Sequence, residues 1–290
     1  MTTAVFGQTL LSALTVASVY AIVAMGLTLV FGVLDIVNFS QGQMVLGGAY
    51  TTFAVVAAGG GYWLGVALGV VVFAVLGGIL DFLLFARTRD EPINGLLISV
   101  GLISIFTAVY VHYFGIQPET VQTPLTAEWH LGDVVVPASK VAVVATTILI
   151  LLALSGFLLR TRPGAAVRAI GQNPDAAALM GIPVERMRTL TFALCAALAA
   201  LGGGLLTAIL PAEPALGDDW LVKAFIVLIL GGAGSPRGAV IGAVIVAFVE
   251  AFATQLWSVA IANVVTFVLL IGVLYLRPRG IIVTTRASTL

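Results

Sequence analysis

The sequence predicts an all-α integral membrane protein, a polytopic bundle of eight or nine transmembrane helices of which one or two are discontinuous. The chain is 60% hydrophobic and only 9% charged, whereas soluble domains carry about 25% charged residues. Apolar runs of about 20 residues, enough to cross the ~30 Å hydrocarbon core of a bilayer, recur along the chain. We therefore expect a single transmembrane domain over residues 1–290, with the apolar N-terminus as its first span rather than a cleaved signal peptide.

Nine stretches are candidate spans, and two of them are weak. The stretch 41–58 opens on the polar segment Ser40–Gln43, and the stretch 221–234 is short and ends in the glycine-rich segment Gly231–Gly234. Both are candidates for discontinuous helices, which membranes tolerate only where the backbone is buried in protein or lines a cavity. The candidate spans are 7–31, 41–58, 62–85, 94–114, 139–159, 189–210, 221–234, 239–256 and 259–276.

Basic residues concentrate on one side of the predicted bundle. The loops 115–138 and 211–222 contain acids but no lysine or arginine, and Lys140 and Lys223 lie at their edges. By the positive-inside rule, the arginine-bearing segments and the C-terminus are cytoplasmic. The N-terminus lies outside if 41–58 spans the membrane fully and inside if that stretch is re-entrant. The arginine-bearing segments are 86–93, 160–188, 235–238 and 277–290.

The most informative stretch is the cytoplasmic segment 160–188, which carries five arginines between two apolar spans. Inside it, Asn173 is typical of a helix N-cap, Pro174 suits the first helical position, and Asp175 complements the positive end of the helix dipole. Gly181 then supplies a C-terminal stop. A short, well-capped helix on the cytoplasmic face of a membrane protein indicates a mechanical partner.

Ionisable residues inside a membrane cost at least a few kcal/mol, and they are usually functional or paired. Glu250 lies in the later half of span 239–256. Two interpretations of Glu250 are equally favoured: it forms a hydrogen bond between helices, or it lines a polar pathway. Asp81 lies near the cytoplasmic end of span 62–85, where an interfacial acid beside a basic loop is the simpler interpretation.

The most polar intramembrane patch consists of Asp35, Asn38, Ser40, Gln41 and Gln43. Its neutral amides donate and accept hydrogen bonds without the cost of a buried charge. The patch suits a polar or zwitterionic solute that passes through the membrane. It also suits a broken helix whose free backbone groups need partners, and the sequence leaves both interpretations open.

Glycines cluster where the helix 221–234 is interrupted. Gly231, Gly232, Gly234 and Gly238 flank Pro236. Small residues let helix backbones approach closely in membranes, so close packing is one interpretation. A flexible joint in a moving helix is the other, and this segment is the candidate hinge.

Signatures of soluble enzymes do not occur in the sequence. It has no Walker-type glycine loop followed by lysine, no cysteine pair and no His-Glu-x-x-His motif. His112 and His130 do not form a metal-ligand pattern, and Cys195 is expected to pack in the core. We therefore expect no enzymatic activity, metal or cofactor in this chain, and no charge-rich region that binds nucleic acid.

Three groups of residues occur in an order that is typical of one transporter family. The first lies around the N-terminal break, the second in the cytoplasmic segment, and the third near the C-terminus. In this sequence they are Gly26–Gly32 (GLTLVFG), Asn38-Phe39, Gly42 and Gly48-Ala49-Tyr50; Asp175-Ala176-Ala177 within Arg160–Gly181; and Gly231–Ser235, Gly238-Ala239, Glu250 and Arg277-Pro278-Arg279-Gly280.

With these motifs the sequence resembles, over essentially its whole length, the permease subunits of ABC importers for branched-chain amino acids, the LivH-like type. The resemblance implies a complex of two homologous permeases, two cytoplasmic ATPase subunits and an external solute-binding protein in a bacterial inner membrane. ATP and Mg²⁺ would bind to the partner subunits. Asn173 to Gly181, including Ala176 and Ala177, would form the coupling helix against an ATPase.

One departure from the family concerns the substrate. Many relatives have a His-Gly-Glu run where this chain has Gln41-Gly42-Gln43. An apolar interior with the amides of Asn38, Gln41, Gln43 and Asn263 suits an aliphatic zwitterion better than a sugar, which needs more polar partners. Branched-chain amino acids are therefore the expected substrates, with urea or a short amide as the alternative. A secondary transporter or channel that works alone is the competing class.

The predicted topology has a direct test. A cysteine introduced at Leu125, in the acidic loop 115–138, is expected to react with a membrane-impermeant thiol reagent added outside intact cells. A cysteine in the arginine-bearing segment 277–290 is expected to react only after the membrane is opened. Labelling of position 125 from the cytoplasmic side alone would overturn the topology.

Overall fold

A computed structural model of the protein describes residues 3–34, 36, 38–88, 91–132, 134–278 and 280–282. Eleven α-helices and one two-stranded hairpin lie within these residues, which confirms the predicted all-α class. Asp35 and Arg279 lie outside the described residues. The elements are α1 Thr3–Leu34, α2 Gln41–Ala57, α3 Tyr62–Leu83, α4 Pro92–Phe114, β1 Glu128–Leu131, β2 Val134–Pro137, α5 Ala138–Arg160, α6 Arg162–Gln172, α7 Pro174–Leu179, α8 Val184–Leu206, α9 Leu216–Gly231, α10 Pro236–Leu256 and α11 Val259–Leu276.

Seven of the described helices are long and apolar enough to cross a membrane: α1, α3, α4, α5, α8, α10 and α11. The two weak candidates of the sequence are the shorter helices α2 and α9, with 17 and 16 residues. At ~1.5 Å per residue each is about 25 Å long, which is less than the hydrocarbon core. Both short helices are largely buried in the bundle, as interrupted helices in a membrane need to be.

The loops between the helices distinguish the two ends of the bundle. At one end the acidic loops meet, because Glu119 and Ala212 form an isolated β-bridge. The β1–β2 hairpin lies at the same end, where Val134 contacts Gly7 near the start of α1. At the other end, Gly32 near the end of α1 lies against Gly234. The start of α1 therefore lies on the side of the acidic loops, the side that the positive-inside rule assigns to the exterior.

The core consists of α1, α2 and α8, with α9 and α10 packed around them. Helices α3, α4, α5 and α11 surround this core and expose large apolar side chains. On α11, Val264, Val268 and Ile271 are all more than 60% exposed. Such faces suit lipid, whose tails are as apolar as these side chains.

Glycines set the distance between α2 and its neighbours. A methyl group at Gly203 of α8 would overlap the carbonyl oxygen of Val45, and one at Gly48 of α2 would overlap that of Ala200. At the start of α2, a methyl group at Gly42 would overlap the carbonyl oxygen of Gly217. The first turns of the two short helices α2 and α9 are therefore in direct backbone contact, and α2 begins inside the bundle.

This packing predicts a large difference between two glycine-to-alanine substitutions in helices. Gly203→Ala forces α2 away from α8 and is expected to destabilise the protein by about 1–3 kcal/mol. Gly101→Ala on α4 meets nothing within 4 Å, so it should be neutral or slightly stabilising through helix propensity. Thermal unfolding of both variants in the same detergent measures the difference. Equal melting temperatures would contradict the close α2–α8 contact.

Candidate transport and coupling sites

The cytoplasmic segment forms a helix–turn–helix unit with the predicted caps. Asn173 Oδ1 accepts a hydrogen bond of 2.9 Å from the Ala176 backbone N–H, and Pro174 begins α7. Asp175 lies in its first turn. Gly181 ends the unit with a φ of +80°, a conformation that favours glycine. The predicted helix signature is thus confirmed, whereas the coupling role of this helix stays a prediction.

Two exposed apolar side chains at the end of α7 were not singled out in the sequence. Leu179 is 89% exposed and Met180 is 83% exposed, whereas Ala177 on the same helix is buried. Large apolar side chains that a short helix leaves exposed outside the apolar spans indicate a protein contact. The sequence carries a signal for this contact, because Leu179 and Met180 directly precede the Gly181 stop and lie outside the apolar spans.

The coupling segment is anchored to the bundle through α6. Val167 and Ile170 of α6 are buried, and Gly171 packs against the carbonyl oxygen of Gly32 at the end of α1. Gly32 also lies against Gly234 in the turn between α9 and α10. The C-terminal end of α1 therefore connects the coupling segment to the glycine-rich turn.

The predicted hinge is a tightly packed turn. Methyl groups at Gly231 and Gly238 would each overlap the carbonyl oxygen of the other residue. Ser235 Oγ caps α10 by accepting a hydrogen bond of 3.1 Å from the Gly238 backbone N–H. Gly232 is covered by the backbone of Gly280. These glycines serve close packing, as one interpretation of the sequence expected, and a hinge motion here stays a prediction.

The amides of the polar patch are buried and bonded mainly to protein. Asn38 Oδ1 accepts hydrogen bonds from the Ser40 backbone N–H at 3.0 Å and from its hydroxyl at 2.7 Å. Gln41 accepts from the Cys195 thiol at 2.9 Å and donates to the Cys195 carbonyl at 3.4 Å. These contacts hold the break before α2 and join α2 to α8, which matches the broken-helix interpretation.

Gln43 has capacity left for a further partner. Its Nε2 donates a hydrogen bond of 3.2 Å to Asp218 Oδ1 in the first turn of α9. Its Oε1 has no hydrogen-bond partner among the described residues. Asn38 Nδ2 also has no partner among the described residues, whereas Gln41 is bonded at both amide atoms, so Gln43 and Asn38 suit contact with a polar solute better than Gln41.

Glu250 is the centre of a hydrogen-bonded network of four side chains. Its carboxylate accepts a hydrogen bond of 2.7 Å from the Tyr20 hydroxyl and one of 2.8 Å from Lys223 Nζ. Lys223 Nζ also donates a hydrogen bond of 2.7 Å to Asn263 Oδ1. The network joins α1, α9, α10 and α11, and its charges sum to zero. The hydrogen bond between helices that Glu250 favours is thus present.

The sequence interpretation of Lys223 was wrong. The sequence places Lys223 at the edge of an outer loop, but in the structure it lies about halfway along α9 and is only 9% exposed. The error arose because α9 begins at Leu216 rather than near residue 221.

The carboxylate of Asp81 is hydrogen-bonded to a neighbouring helix, since the Thr189 hydroxyl donates a hydrogen bond of 2.6 Å to it.

A cavity of about 420 Å³ opens between α1 and α10 beside Glu250. It lies toward the end of the bundle where the acidic loops meet, because residues near the start of α1 and the end of α10 line it. Gln8, Ser12, Thr254 and Glu250 contribute polar groups to its wall. At the start of α5, Lys140 Nζ donates a hydrogen bond of 3.1 Å to the Ser12 hydroxyl.

A helical bundle with a buried polar network, a cavity beside it and a protruding capped helix defines the class of multi-pass membrane permeases. Residues 9–274 match the family described as "Branched-chain amino acid transport system / permease component". The chain belongs to this family, as the motifs of its sequence indicated.

Curated relatives match nearly the whole chain. The high-affinity branched-chain amino acid transport system permease protein LivH of Escherichia coli is 32% identical over 96% of this chain and 95% of its own length. The corresponding permease protein BraD of Pseudomonas aeruginosa is 30% identical over 95% of each chain. The probable permease LivH of Methanocaldococcus jannaschii is 26% identical over 91% of this chain and 89% of its own.

Proposed function

We propose that this chain is the transmembrane permease subunit of an ATP-driven importer of branched-chain and related aliphatic amino acids in a bacterial inner membrane. In this proposal it pairs with a second homologous permease to form the translocation path. Two cytoplasmic ATPase subunits and an external solute-binding protein complete the complex. The observation that carries the proposal is the rigid, capped α7, which presents Leu179 and Met180 on the arginine-bearing side of the membrane.

The coupling step follows from how α7 is attached. An ATPase that holds Leu179 and Met180 would move α6 when the nucleotide dimer closes. Since Gly171 of α6 packs on Gly32 of α1, that motion would reach α1 and the turn at Gly234. A shift of packed helices of this kind is one of the known ways in which access across a membrane alternates.

No nucleotide or metal site in this chain enters the proposal. Among the described residues, no cluster of three or more His, Cys, Asp and Glu side chains is arranged to hold a metal ion. ATP and Mg²⁺ are assigned to the ATPase partners.

Relatives that are named for branched-chain amino acid transport support the substrate class. Urea or a short amide is the second candidate, because the amides of Gln41 and Gln43 stand at the start of α2. The spare Gln43 Oε1 suits a neutral amide donor.

Reconstitution decides between these candidates. The chain is co-expressed with a second permease of this family, ABC ATPase subunits and a solute-binding protein from the same organism, and the complex is placed in proteoliposomes. We expect uptake of leucine, isoleucine or valine that requires ATP and a functional Walker lysine in the ATPase. Uptake of urea without any response to the three amino acids would overturn the substrate assignment, and uptake without ATPase subunits would overturn the importer.

The coupling surface has a separate test. Leu179→Ser combined with Met180→Ser removes two apolar contacts without touching the caps of α7. We expect normal membrane insertion, loss of ATPase co-purification and at least about tenfold slower uptake, because exposed apolar anchors dominate such contacts. Leu125→Ser on the acidic side is the matched control and should behave as wild type. ATPase subunits that co-purify normally with the double variant would exclude this docking role.

A further inference from the structure

Another cavity, of about 440 Å³, lies at the opposite end of the bundle, where two arginine-bearing segments come together. Residues of α1, α5, α6 and the turn that leads into α10 line it. Among them are Arg168 of α6 and Arg237 in the first turn of α10. The described lining residues include no aspartate or glutamate. The cavity is therefore positively charged, and it suits an anionic occupant.

Both arginines of this cavity are available to a ligand. Arg168 and Arg237 are exposed, and neither forms a hydrogen bond or an ion pair with the part of the chain that the structure describes. Arg188, at the same end of the bundle, is instead paired with Glu185 at 3.2 Å. A guanidinium group presents five donors in a planar fork that matches a phosphate group. Two such groups in one wall favour an occupant with several anionic oxygens, such as a phosphate.

The cavity also adjoins the apolar outer face of α5. Leu158 and Leu159 line it, and Leu159 directly precedes Arg160, the first charged residue after this span. Leu159 is largely exposed, as are Leu152 and Leu149 on the same face of the helix. Such a face suits lipid, so an apolar surface runs from the hydrocarbon region to the cavity of the two arginines. A soluble anion would use only the charged part of this site, whereas a phospholipid would use both parts.

We propose that this cavity binds the head group of an anionic phospholipid, with Arg168 and Arg237 donating hydrogen bonds to its phosphate and the acyl chains lying on the leucine face of α5. Basic pockets between transmembrane helices at the cytoplasmic side of a membrane are suited to such head groups. A phosphate held by both side chains would join α6 to the start of α10. The site does not depend on which solute the protein transports.

Charge makes the site selective among lipids. A zwitterionic lipid carries the same phosphate group, but its ammonium group is repelled by the two arginines. Two basic residues beside an anionic lipid predict a preference of about thirtyfold over a zwitterionic one. A lipid with the same acyl chains and a zwitterionic head group is therefore the matched comparison, because it covers the same apolar surface.

The experiment uses the assembled complex in lipid nanodiscs, so that reagents reach both faces of the membrane. Gln172→Cys places a thiol in the cavity wall, and Ala165→Cys is the matched control, exposed on the same helix but outside the wall. The natural thiol of Cys195 is buried. The rate at which a water-soluble maleimide labels this chain is measured in phosphatidylcholine alone, in phosphatidylcholine mixed with phosphatidylglycerol, and in phosphatidylcholine with soluble glycerol 3-phosphate.

We expect phosphatidylglycerol to slow labelling of position 172 at least about threefold more than labelling of position 165, because a bound lipid covers the wall. The control position corrects for the general effect of an anionic surface on thiol reactivity. Equal slowing at both positions, or no slowing at position 172, would overturn the proposal. Equally strong protection by glycerol 3-phosphate would indicate a site for soluble anions, and a thiol that is unreactive in every lipid would indicate a cavity covered by protein. Either result would also overturn the phospholipid assignment.

A double variant assigns the lipid contact to the two arginines. Arg168→Gln with Arg237→Gln removes both charges from the wall, and Arg186→Gln with Arg277→Gln removes two charges at the same end of the bundle but outside it. We expect phosphatidylglycerol to raise the melting temperature of the wild type and the control pair, and the cavity pair to lose this rise. An equal rise in both pairs would exclude the two arginines as the phosphate ligands. If the cavity pair does not assemble, Arg237→Gln alone, compared with Arg186→Gln in the labelling assay, decides.

Discussion

Backbone contact between α2 and α8 sets the geometry of the whole bundle. Gly48 and Gly203 bring the two helices together without side chains between them. Lipid supplies no hydrophobic drive between helices, so contact of this kind has to come from small residues and van der Waals packing. Because α2 is held inside the bundle, its first turn reaches α9 at Gly217 and its Gln41 reaches Cys195. The two short helices thereby gain the protein environment that an interrupted helix requires.

A charged network joins the helices that pack around this core. Tyr20, Lys223 and Glu250 come from three helices that pack around the same centre. Each charge alone would be expensive inside a membrane. Together they are neutral and hydrogen-bonded, which is the condition under which buried charges persist. Glu250 also lines an open cavity, whereas the Asp81 carboxylate accepts a hydrogen bond from the Thr189 hydroxyl of a neighbouring helix.

The long helices and the caps of α7 were predictable, because length, apolarity and cap residues are local properties. The two weak spans, which the sequence makes candidates for discontinuous helices, are two short continuous helices, α2 and α9, and the breaks lie beside them rather than within them. The start of α9 was missed because Leu216–Trp220 mixes acids with apolar residues, so a hydropathy window begins too late. That shift alone moved Lys223 from a loop edge to the protein interior.

Contacts between distant residues could not be predicted. Tyr20 and Glu250 are 230 positions apart, and no local pattern in either helix reports that they meet. A single buried acid therefore looked ambiguous between a structural bond and a pathway position. The structure shows the bonds between helices and places Glu250 in the wall of a cavity, whereas its position on a transport pathway stays a prediction. A carboxylate held by hydrogen bonds from Tyr20 and Lys223 is pre-organised, so any polar partner that meets its remaining lone pairs need not order it first.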